Sequence, residues 1–128
     1  MRAAKQVIVM RKDLNMRRGK MIAQGAHASL KVLLDRQREA TETSISIDLN
    51  PAMAAWLGGP FTKVCVYVRS EQELDDIYTR AGEAGLVRAM IVDSGRTEFG
   101  GVPTKTCCAI GPGWVEEVDA ITGELPLL

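Results

Sequence analysis

Gln6-Val7-Ile8-Val9-Met10, then Arg11-Lys12-Asp13-Leu14-Asn15, then Met16-Arg17-Arg18-Gly19-Lys20-Met21-Ile22-Ala23-Gln24-Gly25-Ala26-His27 carries the chain from a β-branched apolar run, through a polar connection, into a helical repeat. That order predicts a strand feeding a helix, expected from about Met16 to about Ala40 with Asn15 as its N-cap. Lys20, Gln24 and His27 are spaced four and then three residues apart and share one helical face, with Arg17 alongside. Ala23, Ala26, Leu30, Leu33 and Leu34 form a neighbouring apolar arc, expected to pack. Five of the 16 Lys and Arg residues lie between Arg11 and Lys20, so the helix start combines side-chain cations with the positive end of the dipole and suits an anion.

Outward from this unit, strands and helices alternate. Thr41 to Asp48 is polar, and Pro51 to Leu57 reads as a short helix behind Asp48 and Asn50, stopped by Gly58-Gly59-Pro60. Thr62 to Val68 is a second strand, and Ser70 with Glu73 forms a capping box for a helix through about Ala84, ended by Gly85. Val87 to Val92 is a third strand and Thr106 to Ile110 a fourth; Gly111-Pro112-Gly113 reads as a turn launching a last helix from Trp114 to Ile121. Helices between strands predict an α/β sheet covered on both faces, with the first three strands parallel. About a dozen residues without helical pattern separate strands three and four, too few for a covered crossover, so the fourth strand should run antiparallel in a mixed sheet. Asp93, at the end of strand three, and Lys20, behind strand one, should then face one crevice at the strand carboxyl ends.

Composition narrows the function classes. A chain of 128 residues, 46% hydrophobic and 25% charged, suits one domain over residues 1–128 with a single core. Sixteen basic residues balance 16 acidic ones, so polyanion binding must come from local clustering rather than a global field. No apolar run approaches the ~20 residues of a membrane helix, and Arg2 and Lys5 lead into a strand, not a signal core; a cytoplasmic protein is expected. Cys65, Cys107 and Cys108 all fall in strand-like segments, where reduced, buried thiols are expected. One histidine and no Cys-x-x-C pair give no basis for a metal site, and no cofactor is expected.

The sequence from Lys5 to Leu14, Gly19-Lys20 with Gln24 and Ala26-His27-Ala28, Asp93-Ser94-Gly95-Arg96-Thr97-Glu98, and Thr106 before Ala109-Ile110-Gly111-Pro112 resemble the peptidyl-tRNA hydrolase type II family. Asp119-Ala120-Ile121-Thr122-Gly123 with Leu127-Leu128 fits it as well, so the resemblance spans nearly the whole chain. It implies a three-layer α/β/α sandwich around a four-stranded mixed sheet, a homodimer, and a metal-free hydrolase that cleaves the ester between peptide and tRNA. It also implies a reactive group of Lys20, Asp93, Thr97 and Thr106, with Gln24 and His27 nearby; Arg17, Arg18 and Gly95 join those two as expected substrate contacts. An ammonium such as Lys20 can stabilise an oxyanion and a carboxylate such as Asp93 can orient water.

Blander readings stand beside these. By spacing alone Lys20, Gln24 and His27 suit a solvated helix face, and Asp93-Ser94-Gly95 suits a plain turn. Trp56 and Trp114 read as packing anchors. A non-catalytic RNA- or protein-binding module on the same fold, or a protein whose apolar surface serves only association, would keep the sequence pattern without turnover.

Overall fold

The computed structural model describes residues 2–128. Its main sheet has four strands: β1 (Ala4–Arg11), β4 (Lys63–Val68), β5 (Arg88–Asp93) and β6 (Thr104–Trp114), in the order β4-β1-β6-β5. β1 and β4 are parallel, and β6 runs antiparallel to both β1 and β5. The first three strands of this sheet therefore point one way and the fourth the other, as the connection lengths require.

The strands alternate side chains between two cores, as a period of two dictates. Val7, Val9, Val66, Val68, Cys108 and Ile110 pack on one face against Leu74, Ile77 and Ala81 of α3 (Glu71–Glu83) and Val118 of α4 (Val115–Thr122). Ile8, Met10, Ala89, Ile91, Cys107 and Ala109 pack on the other against Ala28 and Val32 of α1 (Arg18–Leu34). α2 (Pro51–Leu57) adds buried Met53 and Trp56, and the Trp56 indole donates to Thr62 O at 2.7 Å. Three layers, α/β/α, result.

Local chemistry accounts for several boundaries. Ser70 Oγ accepts from Glu73 N at 3.0 Å, while the Glu73 carboxylate accepts from Arg69 N at 3.0 Å, so the cap of α3 forms one position wider than a capping box on Ser70 alone. Asn50 caps α2 by accepting from Met53 N at 2.9 Å, and Gly85 turns left-handed at φ 78° after α3.

Five expectations change. Asn15 does not cap α1: it sits at φ 53° in a turn closed by Asn15 N donating to Lys12 O at 3.2 Å, and the helix begins at Arg18 behind an extended Arg17 with no side-chain cap. Asparagine tolerates the left-handed region, so the turn wins over the cap. α1 stops at Leu34 rather than Ala40, because Gln37–Ala40 (β2) pairs with Ile45–Ile47 (β3) in a small exposed hairpin. Its turn is tied by Thr41 Oγ1, which meets Ser44 Oγ at 2.8 Å and accepts from Ser44 N at 3.1 Å. The packing face of α1 is Gln24, Gly25, Ala28 and Val32; Ala23, Ala26, Leu30 and Leu34 are exposed. Gly111-Pro112-Gly113 lies within β6, where Gly113 pairs with Lys5 and a register shift between Lys5 and Val7 accommodates the proline. Cys107 and Cys108 are buried as expected, but Cys65 is exposed on the edge strand.

Candidate active site

β1 delivers the chain to the start of α1, and β5 ends at Asp93, so both halves of the candidate site reach the carboxyl-end rim of the sheet. There Lys20 Nζ lies 2.9 Å from Asp93 Oδ1 and donates to Thr97 Oγ1 at 2.6 Å. Both charged side chains are largely withdrawn from solvent, 14% exposed for Lys20 and 12% for Asp93. Among sites 73 and 77 residues apart in sequence, that convergence requires the tertiary fold.

The surroundings hold Asp93 ionised. The hydrogen bond from Lys20 is the leading cause of a carboxyl pKa below its usual range; burial opposes the shift, while the Gly95 N–H and the charges of Lys20 and His27 assist it. Gly95 N donates to Asp93 Oδ2 at 2.8 Å. Gly95 can take that position because it has no Cβ: its φ is 83°, and a Cβ would stand 2.4 Å from Val102 O. The loop from Ser94 to Pro103 is thus folded back on itself, with Gly101 N donating to Gly95 O at 2.9 Å.

Gln24, one turn beyond Lys20, is buried at 4% exposure. Its Nε2 lies 3.5 Å from Asp93 Oδ1 and its Oε1 accepts from the Thr106 hydroxyl at 2.6 Å. Thr106 is wholly buried on β6 and meets the pair through Gln24. His27 is exposed on the same helix. Arg17 is 91% exposed at its side chain, with Nε 4.0 Å from Glu98 Oε1. Arg18 is exposed and lines an apolar groove of about 720 Å³ on the β4 side of α1, away from β5 and Asp93. Lys20, Asp93 and Thr97 do not line that groove.

Phe99 was not singled out from sequence, yet its ring centroid is 5.7 Å from Lys20 Nζ and it packs on the α1-side core. An apolar aromatic two residues after Thr97, in a loop otherwise rich in glycine and polar residues, was the available signal. Among the described residues, no three His, Cys, Asp or Glu side chains gather as a metal site requires. No helix among them is long and apolar enough to cross a membrane.

Fold and site together define an α/β protein with a lysine–carboxylate centre at its sheet rim, chemistry suited to acyl transfer to water. Residues 4–128 match the family model described as peptidyl-tRNA hydrolase PTH2, and the chain belongs to that family. A peptidyl-tRNA hydrolase of Methanocaldococcus jannaschii is 44% identical over 97% of this chain and 99% of its own length. Enzymes of the same name from Methanopyrus kandleri and Sulfurisphaera tokodaii are 40% and 41% identical, over 97% and 98% of this chain and 97% and 99% of their own. A solved structure of a protein of unknown function from Agrobacterium tumefaciens shares the fold, with a TM-score of 0.59 over 100% of this chain and 99% of that one at 13% identity.

Proposed function

We propose that this chain hydrolyses the ester joining peptide to tRNA in peptidyl-tRNA, with Lys20 and Asp93 as its reacting pair and residues 1–128 as one catalytic domain. The observation carrying this assignment is the convergence of Lys20 Nζ on both Asp93 and Thr97 at the sheet rim. Two of the three ammonium protons are engaged there, leaving a third for the ester carbonyl as it becomes an oxyanion. Asp93 Oδ1 faces Lys20 and Gln24, whereas among the described residues Oδ2 has only the Gly95 N–H, so Oδ2 keeps a lone pair for the attacking water. The water adds to the carbonyl carbon as its proton passes to Asp93, and Asp93 returns that proton to the ribose oxygen as the ester C–O bond breaks. Thr97 accepts from Lys20, so its own hydroxyl proton is available to the water or carbonyl.

Arg17, Arg18 and His27 are assigned to substrate contact, the two arginines facing tRNA phosphate, while Gly95, buried with its N–H on Asp93, acts through that carboxylate. Exposed cations beside a helix start with no acidic residue in its first turn support that role. Phosphate contact there predicts affinity that weakens from low to physiological salt. A homodimer is proposed as well: the groove beside α1 exposes Ile22, Leu30 and Phe61 at 67%, 55% and 47%, an apolar surface that a second copy can cover. The proposed compartment is the cytoplasm.

The deciding experiment is incubation of purified protein with N-acetyl-aminoacyl-tRNA and measurement of released acyl amino acid. Lys20→Ala and Asp93→Asn are each expected to lose roughly 10²–10⁴-fold in rate while remaining folded. A folded wild-type protein that binds tRNA without releasing the acyl group would reverse the assignment in favour of a binding module.

A further inference from the structure

Thr106 belongs to the polar set at the site, yet its position differs from that of Lys20, Asp93 and Thr97. It is at 0% exposure on the central strand β6, and its hydroxyl lies 2.6 Å from Gln24 Oε1; its other neighbour is Cys107 Sγ at 3.9 Å. Among the described residues it is the sole donor to Gln24 Oε1. The opposite end of that amide lies 3.5 Å from Asp93 Oδ1. An ionised carboxylate accepts only, so the favourable orientation turns the Gln24 NH2 toward Asp93 and its carbonyl toward the Thr106 proton. The reverse orientation points a carbonyl dipole at a carboxylate and makes the Thr106 hydroxyl the acceptor, which turns its own proton toward the weak acceptor Cys107 Sγ at 3.9 Å.

We propose that Thr106 is a positioning residue that never touches the ester: it holds the Gln24 amide so that its NH2 faces Asp93 Oδ1, keeping Oδ2 turned to the reacting water. This rests on the reading of Asp93 given above. Sequence separation hides the link, since Thr106 and Gln24 are 82 positions apart. Burial gives it force: with the hydroxyl removed, Gln24 Oε1 is a buried acceptor without a donor, and relief by rotation costs Asp93 a partner. The backbone of Gln24 is fixed independently, since Cys107 Sγ lies 3.3 Å from Gln24 O.

The test is a double-mutant cycle in single-turnover hydrolysis of N-acetyl-aminoacyl-tRNA, using Thr106→Val, Gln24→Met, the double variant and Thr106→Ser. Thr106→Val is expected to slow the chemical step roughly ten- to hundredfold, the kinetic equivalent of one buried hydrogen bond. Thr106→Ser should stay close to wild type, and the double variant should be no slower than Gln24→Met alone. A loss in the double variant equal to the product of the two single losses overturns the proposal, because Thr106 would then act without Gln24.

The pH profile is the second readout. The charged groups acting on Asp93 are Lys20 and His27 on α1; the nearest charges in sequence on the loop and on β6 are engaged elsewhere, Glu98 with Arg17 and Lys105 with Asp75 at 3.0 Å. With those unchanged, Thr106→Val and Gln24→Met should both move the acid limb of the rate upward; a limb that stays in place overturns the proposal. Should Thr106→Val not fold, the Gln24→Met limb and the Thr106→Ser rate test the positioning role in its stead: an unmoved limb, or a serine variant as slow as an inactive one, overturns it. If wild-type protein hydrolyses nothing, the assigned function fails by itself. Titration of the Asp93 carboxyl carbon by NMR, shifted upward in Gln24→Met or unmoved, then still decides the positioning role.

Discussion

Asp93 is the residue on which the proposed site turns, and its surroundings set the pH range over which it stays ionised. Lys20 first, then the Gly95 N–H and the charges of Lys20 and His27, lower its pKa below the ordinary 3.8 against the opposing effect of burial. A carboxyl whose folded pKa is depressed stabilises the fold above its unfolded value, and that contribution disappears as pH falls through the folded value. The rate of acyl release should therefore hold from neutral pH to below about pH 4 as far as Asp93 governs it, and Lys20→Met should raise the limb measured on its residual activity. The thiols make a second prediction at this scale. Burial pushes Cys107 up to about 12 and Cys108 higher still, whereas Cys65 is exposed. Cys107 and Cys108 should resist an aqueous maleimide in native protein and all three thiols should react after denaturation, as mass spectrometry would count; native labelling of Cys107 or Cys108 would contradict the packing of β6.

At the scale of elements, the loop between β5 and β6 converts strand geometry into chemistry. Its left-handed Gly95 brings an N–H to Asp93 and lies against the Val102 backbone, leaving no room for a methyl group. Gly95→Ala should cost roughly 1–3 kcal/mol by thermal or urea unfolding and also reduce acyl release, since the same backbone turn donates to Asp93. Gly100→Ala, also at positive φ but with open space around the added Cβ, should cost less. α1 is the other such element: it buries Gln24 toward the sheet, sets Lys20 at the rim and leaves Ile22 and Leu30 facing outward. A uniformly apolar buried face would have been easier to recognise from sequence, but Gln24 and Gly25 occupy that face, Gln24 satisfied by Thr106 and Gly25 against Ile8 and Met10. The arc of Ala23, Ala26, Leu30 and Leu34 carries more apolar surface and so pointed to the wrong side.

For the whole molecule, the exposed side of α1 and the uncovered side of β4 form one apolar groove, and the proposed second copy would bury it. Light scattering should give twice the monomer mass for wild type and the monomer mass for Leu30→Asp; a wild-type monomer at micromolar concentration would remove the dimer from the assignment. The sequence by itself determined the alternation of strands and helices, the antiparallel fourth strand, the cap at Ser70, and Lys20 and Asp93 as partners on one rim, because periodicity, turn chemistry and connection length act locally or follow chain-handedness rules. Tertiary structure alone decided which face of α1 is buried, that β6 lies between β1 and β5, that residues 37–47 fold as a hairpin, and that Thr106 meets Asp93 through Gln24. Each of these depends on which distant surface arrives to exclude water or accept a hydrogen bond, and no spacing along a single segment encodes that arrival.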